Sequence, residues 1–215
     1  GVDAVVILSI DDLRKTEPYR VFLEPILARL TEIEGRSPLS IFTCDVDPAD
    51  PQLARWLADG VRLDVHTRSH PCPLLRGALE AAAADVLDCV TSLNRIPGNR
   101  PVAFRMPCCD SINSASPRFF SEILPLRTKV GQFLEADSSV LMFLDDSYRP
   151  YAPFKNYAAT AQGYPYPYVV NKLIWEFPII CPSDWQAQNR QKPFHPQTVA
   201  DIERGIDKVV EAQGT

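Results

Sequence analysis

The sequence predicts one α/β domain over residues 1–215, built on a parallel sheet or barrel. Short apolar segments of strand length alternate several times with longer segments of helical period, a pattern typical of strands joined by crossover helices. Polar clusters follow several of the predicted strands directly. Because parallel strands end at one edge of a sheet, we expect the functional site at their carboxyl-terminal ends.

The predicted strands are short, apolar and rich in β-branched residues, as strands buried on both faces usually are. They are Ala4–Ile10, Pro38–Thr43, Val61–Val65, Pro101–Phe104, Val140–Leu144 and Lys172–Pro178. The predicted helices carry their apolar residues on one stripe. They are Tyr19–Leu30, Gln52–Ala58, Gly77–Leu93, Pro117–Leu124 and Pro196–Glu211. Gly60 is expected to end the second of these helices.

A segment rich in tyrosine and proline, at about residues 145–170, interrupts this alternation. It holds six of the seven tyrosines, and over most of its length its apolar residues follow neither a helical nor a strand period. An exposed tyrosine ring offers an apolar face and a polar tip, which suits the wall of a sugar-binding groove. Alternatively, the rings pack onto the domain. We interpret the segment as an insertion within the single domain.

The net charge limits the classes of partner. The chain carries a net charge of −5 at pH 7 and has no long basic run, which argues against nucleic acid. No apolar stretch approaches the length of a membrane span, so no membrane-spanning segment is expected. The sequence begins with Gly1 rather than Met, as expected of a chain that is processed, tagged or part of a longer one.

Two of the three histidines, His66 and His70, stand four residues apart after the third predicted strand. This spacing places both imidazoles on the same side of a helical turn. Pro71 disfavours helical geometry at His70, so a turn that leaves a strand is the better interpretation. Two converging imidazoles supply half of a zinc site. Two surface histidines without a ligand role remain the alternative.

Two adjacent carboxylates, Asp11 and Asp12, end the first predicted strand. An N-cap to the following helix explains one of them, since Asp is a favoured cap, but it explains two less well. A carboxylate and two imidazoles are a common catalytic zinc set. The metal makes hydroxide available near neutral pH, and a second carboxylate could serve as general base. Such a set suits hydrolysis of an amide or an ester.

At four places the chain resembles the polysaccharide deacetylases, the NodB-like domains of carbohydrate esterase family 4. Residues 9–12, S-I-D-D, resemble the first motif of the family, T-F-D-D-G. Residues 66–71, H-T-R-S-H-P, match the second motif, H-[ST]-x-x-H-P, at every specified position. Residues 105–108, R-M-P-C, resemble the third motif, and residues 184–185, D-W, the fourth. The order of the motifs also agrees with the family.

The resemblance implies a distorted, incomplete (β/α) barrel and a role for each motif residue. Asp11 would be the general base, paired with Arg105. The metal ligands would be Asp12, His66 and His70. The backbone N–H of Cys108 would help to bind the oxyanion, and Asp184 would tune a catalytic histidine or orient Arg105. The residues expected to contact substrate are Trp185, Pro107 and Tyr166.

The sequence departs from the family at three points. Leu13 replaces the usual glycine, and Cys108 replaces an aromatic residue. The fifth motif, L-x-H, which supplies the general acid on a final strand, is not found. His195 precedes the last predicted helix and lacks that context, so a solvent-exposed loop histidine is the better interpretation.

The cysteines near the motifs invite a ligand or redox role. The six cysteines contain no C-x-x-C pair, which argues against a zinc finger, and their even number allows disulfides. Because the carboxylate and the two histidines already complete a ligand set, we interpret Cys72, Cys108 and Cys109 as packed thiols.

The resemblance implies a metal-dependent hydrolase that removes acetyl groups from an N- or O-acetylated glycan. It implies one divalent metal ion, zinc first, with cobalt or nickel as alternatives. Relatives act mostly at the cell envelope, in the periplasm or outside the cell. Two other functions stay open: an inactive carbohydrate-binding module on the same fold, and a metal-dependent amidase that acts on a non-sugar substrate.

Overall fold

A computed structural model describes the part of the chain that carries the first three motifs. The described residues are 7–72, 74, 78–109, 118–126, 134–143, 158–160, 167–170 and 174–180. The closing helix predicted over Pro196–Glu211 and most of the 145–170 segment lie outside them. The single-domain organisation therefore stays a prediction.

The described strands form two sheets. In chain order they are β1 Leu8–Leu13, β2 Leu39–Thr43, β3 Arg62–Val65, β4 Ala103–Phe104, β5 Ala136–Asp137, β6 Leu141–Phe143, β7 Ala158–Thr160, β8 Tyr168–Val170, β9 Ile174–Glu176 and β10 Ile179–Ile180. The larger sheet has the order β1-β2-β3-β4-β5-β9-β8, and the smaller has the order β10-β6-β7.

Most neighbours in the larger sheet run parallel, and only β8 is antiparallel, to β9. The carboxyl-terminal ends of six strands therefore meet at one edge, which confirms the predicted α/β class. In the described part the sheet is open, with β1 and β8 as its two ends. The closed or nearly closed barrel stays a prediction.

Three α-helices connect the first four strands. They are α1 Thr16–Glu34, α2 Pro51–Asp59 and α3 Leu79–Leu93. Gly35 and Gly60 end α1 and α2 with left-handed backbone at φ 71° and 105°, a conformation that a side chain would strain. The Asp50 side chain caps α2 by accepting the Gln52 N–H at 2.9 Å. The prediction that Gly60 ends the second helix is thus confirmed.

The core lies beside β3, an interior strand of the larger sheet. Leu63 and Val65 of β3 and Ile41 of β2 are fully buried. Helix α3 packs against β3, and its Val86 and Val90 are buried there. These side chains fix β3, which leads directly into His66.

Four of the described strands were not predicted, and three predicted elements differ from the structure in their sheet, their end or their type. The unpredicted strands are β5, β7, β8 and β10, of two or three residues each, which is too short for alternation to show in the sequence. The Val140–Leu144 prediction corresponds to β6 of the smaller sheet. Strand β1 continues to Leu13 instead of ending before the two acids. The Pro117–Leu124 prediction corresponds to a π-helical turn, Phe119–Ile123.

None of the helices in the described residues combines the length and the apolarity that a membrane span requires.

We expect Leu63→Ala to lower the free energy of unfolding by about 2–5 kcal/mol, because it opens a cavity at a fully buried position of the central strand. Arg62→Ala, on the exposed side of the same strand, should change it by less than about 0.5 kcal/mol. Urea denaturation of the two variants measures both values. Equal effects would contradict the burial of β3.

Candidate active site

The two acids Asp11 and Asp12 lie in an irregularity of β1. Ile10 pairs with Ile41 and Leu13 with Thr43, so three steps along β1 face two steps along β2. One extra residue in a strand is a β-bulge, a feature that redirects side chains. The N-cap alternative is wrong, because the N-cap of α1 is Lys15 and no side chain caps that helix.

The two histidines lie on a tight turn that leaves β3. The Thr67 Oγ1 accepts the His70 backbone N–H at 3.1 Å, which closes the turn over Arg68 and Ser69. Asp85 of α3 accepts the Arg68 and Ser69 backbone N–H groups at 2.7 and 2.9 Å. The ring centroids of His66 and His70 are 4.9 Å apart. The predicted turn geometry is confirmed, and Asp85 is a supporting residue that sequence reasoning missed.

One atom from each of Asp12, His66 and His70 could bind a metal ion, and these three atoms lie within 4.8 Å of one another. The Asp12 Oδ1 is 3.0 Å from His70 Nε2 and 3.9 Å from His66 Nε2. Hydrogen bonding to His70 lowers the pKa of Asp12, against the effect of burial. Oxygen and imidazole nitrogen are donors that zinc and similar divalent ions accept.

His66 is held in the form that can bind a metal. It is 2% exposed, and burial lowers its pKa, so its ring stays neutral. Its Nδ1 lies 2.8 Å from the Arg105 carbonyl oxygen. Because a carbonyl can only accept, Nδ1 carries the proton, which leaves the lone pair on Nε2, the nitrogen that lies 3.9 Å from Asp12 Oδ1. This donor set fits a divalent metal.

The Arg105 guanidinium lies beside this cluster and pairs with Asp11. Its Nη1 donates to Asp11 Oδ1 and to Ser9 Oγ, both at 2.8 Å. The guanidinium carbon lies 4.2 Å from the centroid of the Phe42 ring, a cation–π distance. The expected pairing of Arg105 with Asp11 is present in the structure.

Two further Arg105 donors are bound by the turn after β5. Nε donates to the Ser138 carbonyl oxygen and Nη2 to Ser138 Oγ, both at 2.8 Å. The Met106 N–H donates to Ser139 Oγ at 2.8 Å. Sequence reasoning missed these serines, and named Asp184 as a residue that would either tune a catalytic histidine or orient Arg105. The polar run D-S-S at 137–139 was the available signal, but β5 itself is too short to recognise.

Backbone strain is concentrated around the site. Within the described residues, four non-glycine residues have positive φ: Asp12 at 69°, Thr67 at 65°, His70 at 58° and Cys108 at 60°. Such a conformation costs about 1–3 kcal/mol per residue and persists where the surroundings enforce it. Two of the four are proposed metal ligands.

A disulfide joins the histidine turn to the third motif. Cys72 is bonded to Cys108, with 6.2 Å between the two Cα atoms. The interpretation of these two cysteines as packed thiols is therefore wrong. The fold thus brings two residues that are 36 apart in the sequence within bonding distance. Cys44 and Cys89 are free and buried.

Several predicted residues lie outside the described part of the chain. They are Asp184, Trp185, Tyr166 and His195. Pro107 is buried at the start of the 3-10 turn Pro107–Cys109, and Cys108 is exposed.

Among solved structures, the chain is similar to the crystal structure of a "putative polysaccharide deacetylase" from Mycobacterium smegmatis. The identity is 13% and the TM-score 0.50, over 94% of this chain and 72% of that chain. The two proteins share a fold. The resemblance inferred from the motifs is thus confirmed at the level of the fold.

Two further structures match over a shorter part. The peptidoglycan deacetylase PdaC from Bacillus subtilis is 25% identical with a TM-score of 0.38, over 48% of this chain and 49% of that chain. A family 4 carbohydrate esterase from Streptomyces lividans, solved with acetate, is 19% identical with a TM-score of 0.39, over 48% of this chain and 50% of that chain. The match thus spans about half the length of each of these relatives. No family model and no curated protein sequence matches the chain.

We expect loss of the disulfide to lower the free energy of unfolding by about 2–4 kcal/mol, because the bond restricts the unfolded chain. Urea denaturation of the wild-type protein with and without reductant, beside Cys72→Ser, measures the change. Reductant should have no further effect on the variant. Equal stability of the wild-type protein under both conditions would contradict the bond.

Proposed function

We propose that the protein is a metal-dependent hydrolase that removes acetyl groups from an acetylated polysaccharide or oligosaccharide. One observation carries the proposal: the donor atoms of Asp12, His66 and His70 cluster within 4.8 Å beside an Asp11 carboxylate paired with Arg105. Metal ligands next to an oriented carboxylate are the parts that metal-assisted hydrolysis needs. The fold shared with a structure described as a "putative polysaccharide deacetylase" supports the same reaction class.

Asp12, His66 and His70 would hold one divalent metal ion, zinc first, with cobalt or nickel as alternatives. Bound there, the ion would act as a Lewis acid and lower the pKa of water. The neutral His66 ring and the Asp12 carboxylate are already in their metal-binding protonation states, because burial lowers the pKa of His66 and the bond to His70 lowers that of Asp12.

Asp11 is the proposed general base. Arg105 donates to its Oδ1, so we assign Oδ2 to the proton taken from the attacking water. Tyr19 fixes the backbone at this point by donating its hydroxyl to the Asp11 carbonyl oxygen at 2.6 Å. Burial, followed by the Asp12 charge, raises the pKa of Tyr19 to about 12, so the hydroxyl keeps its proton.

The backbone N–H of Cys108 is the proposed oxyanion donor, a type of contact that contributes about 2.7–4 kcal/mol to the lowering of the barrier.

The exposure of two proposed metal ligands supports access by a large substrate, because the Asp12 side chain is 53% exposed and that of His70 20%. Trp185, Pro107 and Tyr166 are the proposed substrate contacts, and Asp184 a proposed positioning residue. We also propose that the open sheet is part of an incomplete barrel.

Asp12→Ala and His70→Ala should each abolish metal binding, because each removes one of three ligands. Elemental analysis of purified protein after soaking with zinc should give about one ion per wild-type chain and far less in both variants. Asp45→Ala is the control, because Asp45 is an exposed acid that pairs with Arg68 nearby. Full metal content in the Asp12 and His70 variants would contradict the ligand set.

Asp11→Asn should keep the metal and lower kcat by about 10²–10⁴-fold, because it removes only the proton acceptor. The assay is acetate release from N- and O-acetylated oligosaccharides, run beside small acyclic and cyclic amides. Turnover of the amides alone would favour a non-sugar amidase. Binding of the oligosaccharides without acetate release by the metal-loaded wild-type protein would favour the binding module.

A further inference from the structure

Two buried carboxyl groups contact the same segment, residues 138–140, that binds the Arg105 guanidinium. Asp137 at the end of β5 and Glu176 at the end of β9 are partners in the parallel register. Both are 0% exposed. Directly paired residues on neighbouring strands lie about 5 Å apart, so two negative charges there would repel each other strongly in a medium that screens them poorly.

Each carboxyl group uses only one of its oxygens with the surrounding chain. The Asp137 Oδ1 accepts the Ser139 hydroxyl at 2.6 Å, and the Glu176 Oε1 accepts the Val140 N–H at 3.0 Å. The other oxygens, Asp137 Oδ2 and Glu176 Oε2, are buried with no donor from the described residues. Side chains of directly paired residues point to the same face of a sheet, so the two carboxyl groups lie side by side, and if both are ionised neither can donate to the other.

One proton between the two groups resolves this conflict. It gives a partner to the two oxygens that otherwise lack one, Asp137 Oδ2 and Glu176 Oε2, and it reduces the buried negative charge from two to one. Burial raises the pKa of both groups, and the charge of Glu176 raises that of Asp137 further. The Val140 N–H and the Arg105 charge oppose the rise at Glu176. The geometry gives this proton a place on the two oxygens that no other group contacts, Asp137 Oδ2 and Glu176 Oε2.

We propose that Asp137 and Glu176 share one proton and act together as positioning residues for Arg105. They hold the segment 138–140 by accepting the Ser139 hydroxyl and the Val140 N–H. The same segment binds the guanidinium through the Ser138 carbonyl and hydroxyl oxygens. The proposal rests on the proposed function, in which Arg105 orients the base.

The shared proton is tested by infrared spectroscopy, independently of activity. The wild-type protein at neutral pH should show the C=O stretching band of an un-ionised carboxylic acid. Both Glu176→Gln and Asp137→Asn should remove it, because an amide N–H replaces the shared proton. Asp64 is another buried carboxyl group whose pKa burial raises, so spectra are also compared with Asp64→Asn. The proposal is overturned if the wild-type protein shows no such band, or if every such band either survives in both pair variants or is the one that Asp64→Asn removes.

The positioning role is tested by NMR of the Arg105 Nε–H, assigned by its loss in Arg105→Lys. Glu176→Ala should shift or broaden this signal, because the segment 138–140 loses its support. Glu176→Gln should restore the wild-type position and width of the Arg105 Nε–H signal, since the glutamine amide can both accept and donate a hydrogen bond. Trp175→Phe is the control, because Trp175 is exposed on the same strand. An unchanged signal in Glu176→Ala would overturn the positioning role.

Kinetics separate this proposal from the proposed function. Glu176→Ala should lower kcat by about 10²-fold, as expected for a displaced catalytic group, with KM changed by less than about twofold. Glu176→Gln should recover most of the loss. A folded Glu176→Ala variant with wild-type kcat would overturn the role in positioning. If the wild-type protein releases no acetate from any substrate, the proposed function fails, and the infrared and NMR results still decide the carboxyl pair.

Discussion

The Arg105 guanidinium is the interaction on which the rest of the site depends. A guanidinium has five donors in a fixed plane and stays charged, so burying it is costly unless its environment is built around it. Here it is 6% exposed, lies over the Phe42 ring and donates to Asp11, Ser9 and Ser138. Through its backbone carbonyl the same residue also fixes the His66 ring. One residue therefore connects the proposed base to a proposed metal ligand.

The loops around Arg105 are held in strained conformations by non-local contacts. Left-handed backbone at Asp12 and His70 is unfavourable for isolated residues and must be stabilised by the surrounding fold. The strand pairing of β1 with β2 holds the acid bulge, Asp85 of α3 holds the histidine turn, and the disulfide from Cys72 fixes the other end of that turn. Contacts of this kind pre-organise the proposed ligands, because the fold itself sets their positions.

Part of this protein is determined by local sequence. The apolar segments and the helical stripes are sufficient to predict α1, α2, α3 and the first four strands, because burial imposes the period of each element on its residues. The i, i+4 spacing and Pro71 similarly predict a turn that brings both imidazoles together. The motif resemblance adds the pairing of Arg105 with Asp11, which spacing alone does not contain, since these residues are 94 positions apart.

Only the tertiary structure decided the contacts that depend on strand order. The adjacency of β4, β5 and β9 brings Ser138 to Arg105 and Asp137 to Glu176, and two- or three-residue strands carry too few residues for their pairing to be recognised. The same holds for the bond between Cys72 and Cys108, because cysteine spacing does not reveal which loops meet. Local sequence thus determined the longer elements and the residue types of the proposed ligands. The packing of distant strands determined which charged groups meet and which hydrogen bonds they make, because those contacts depend on strand order.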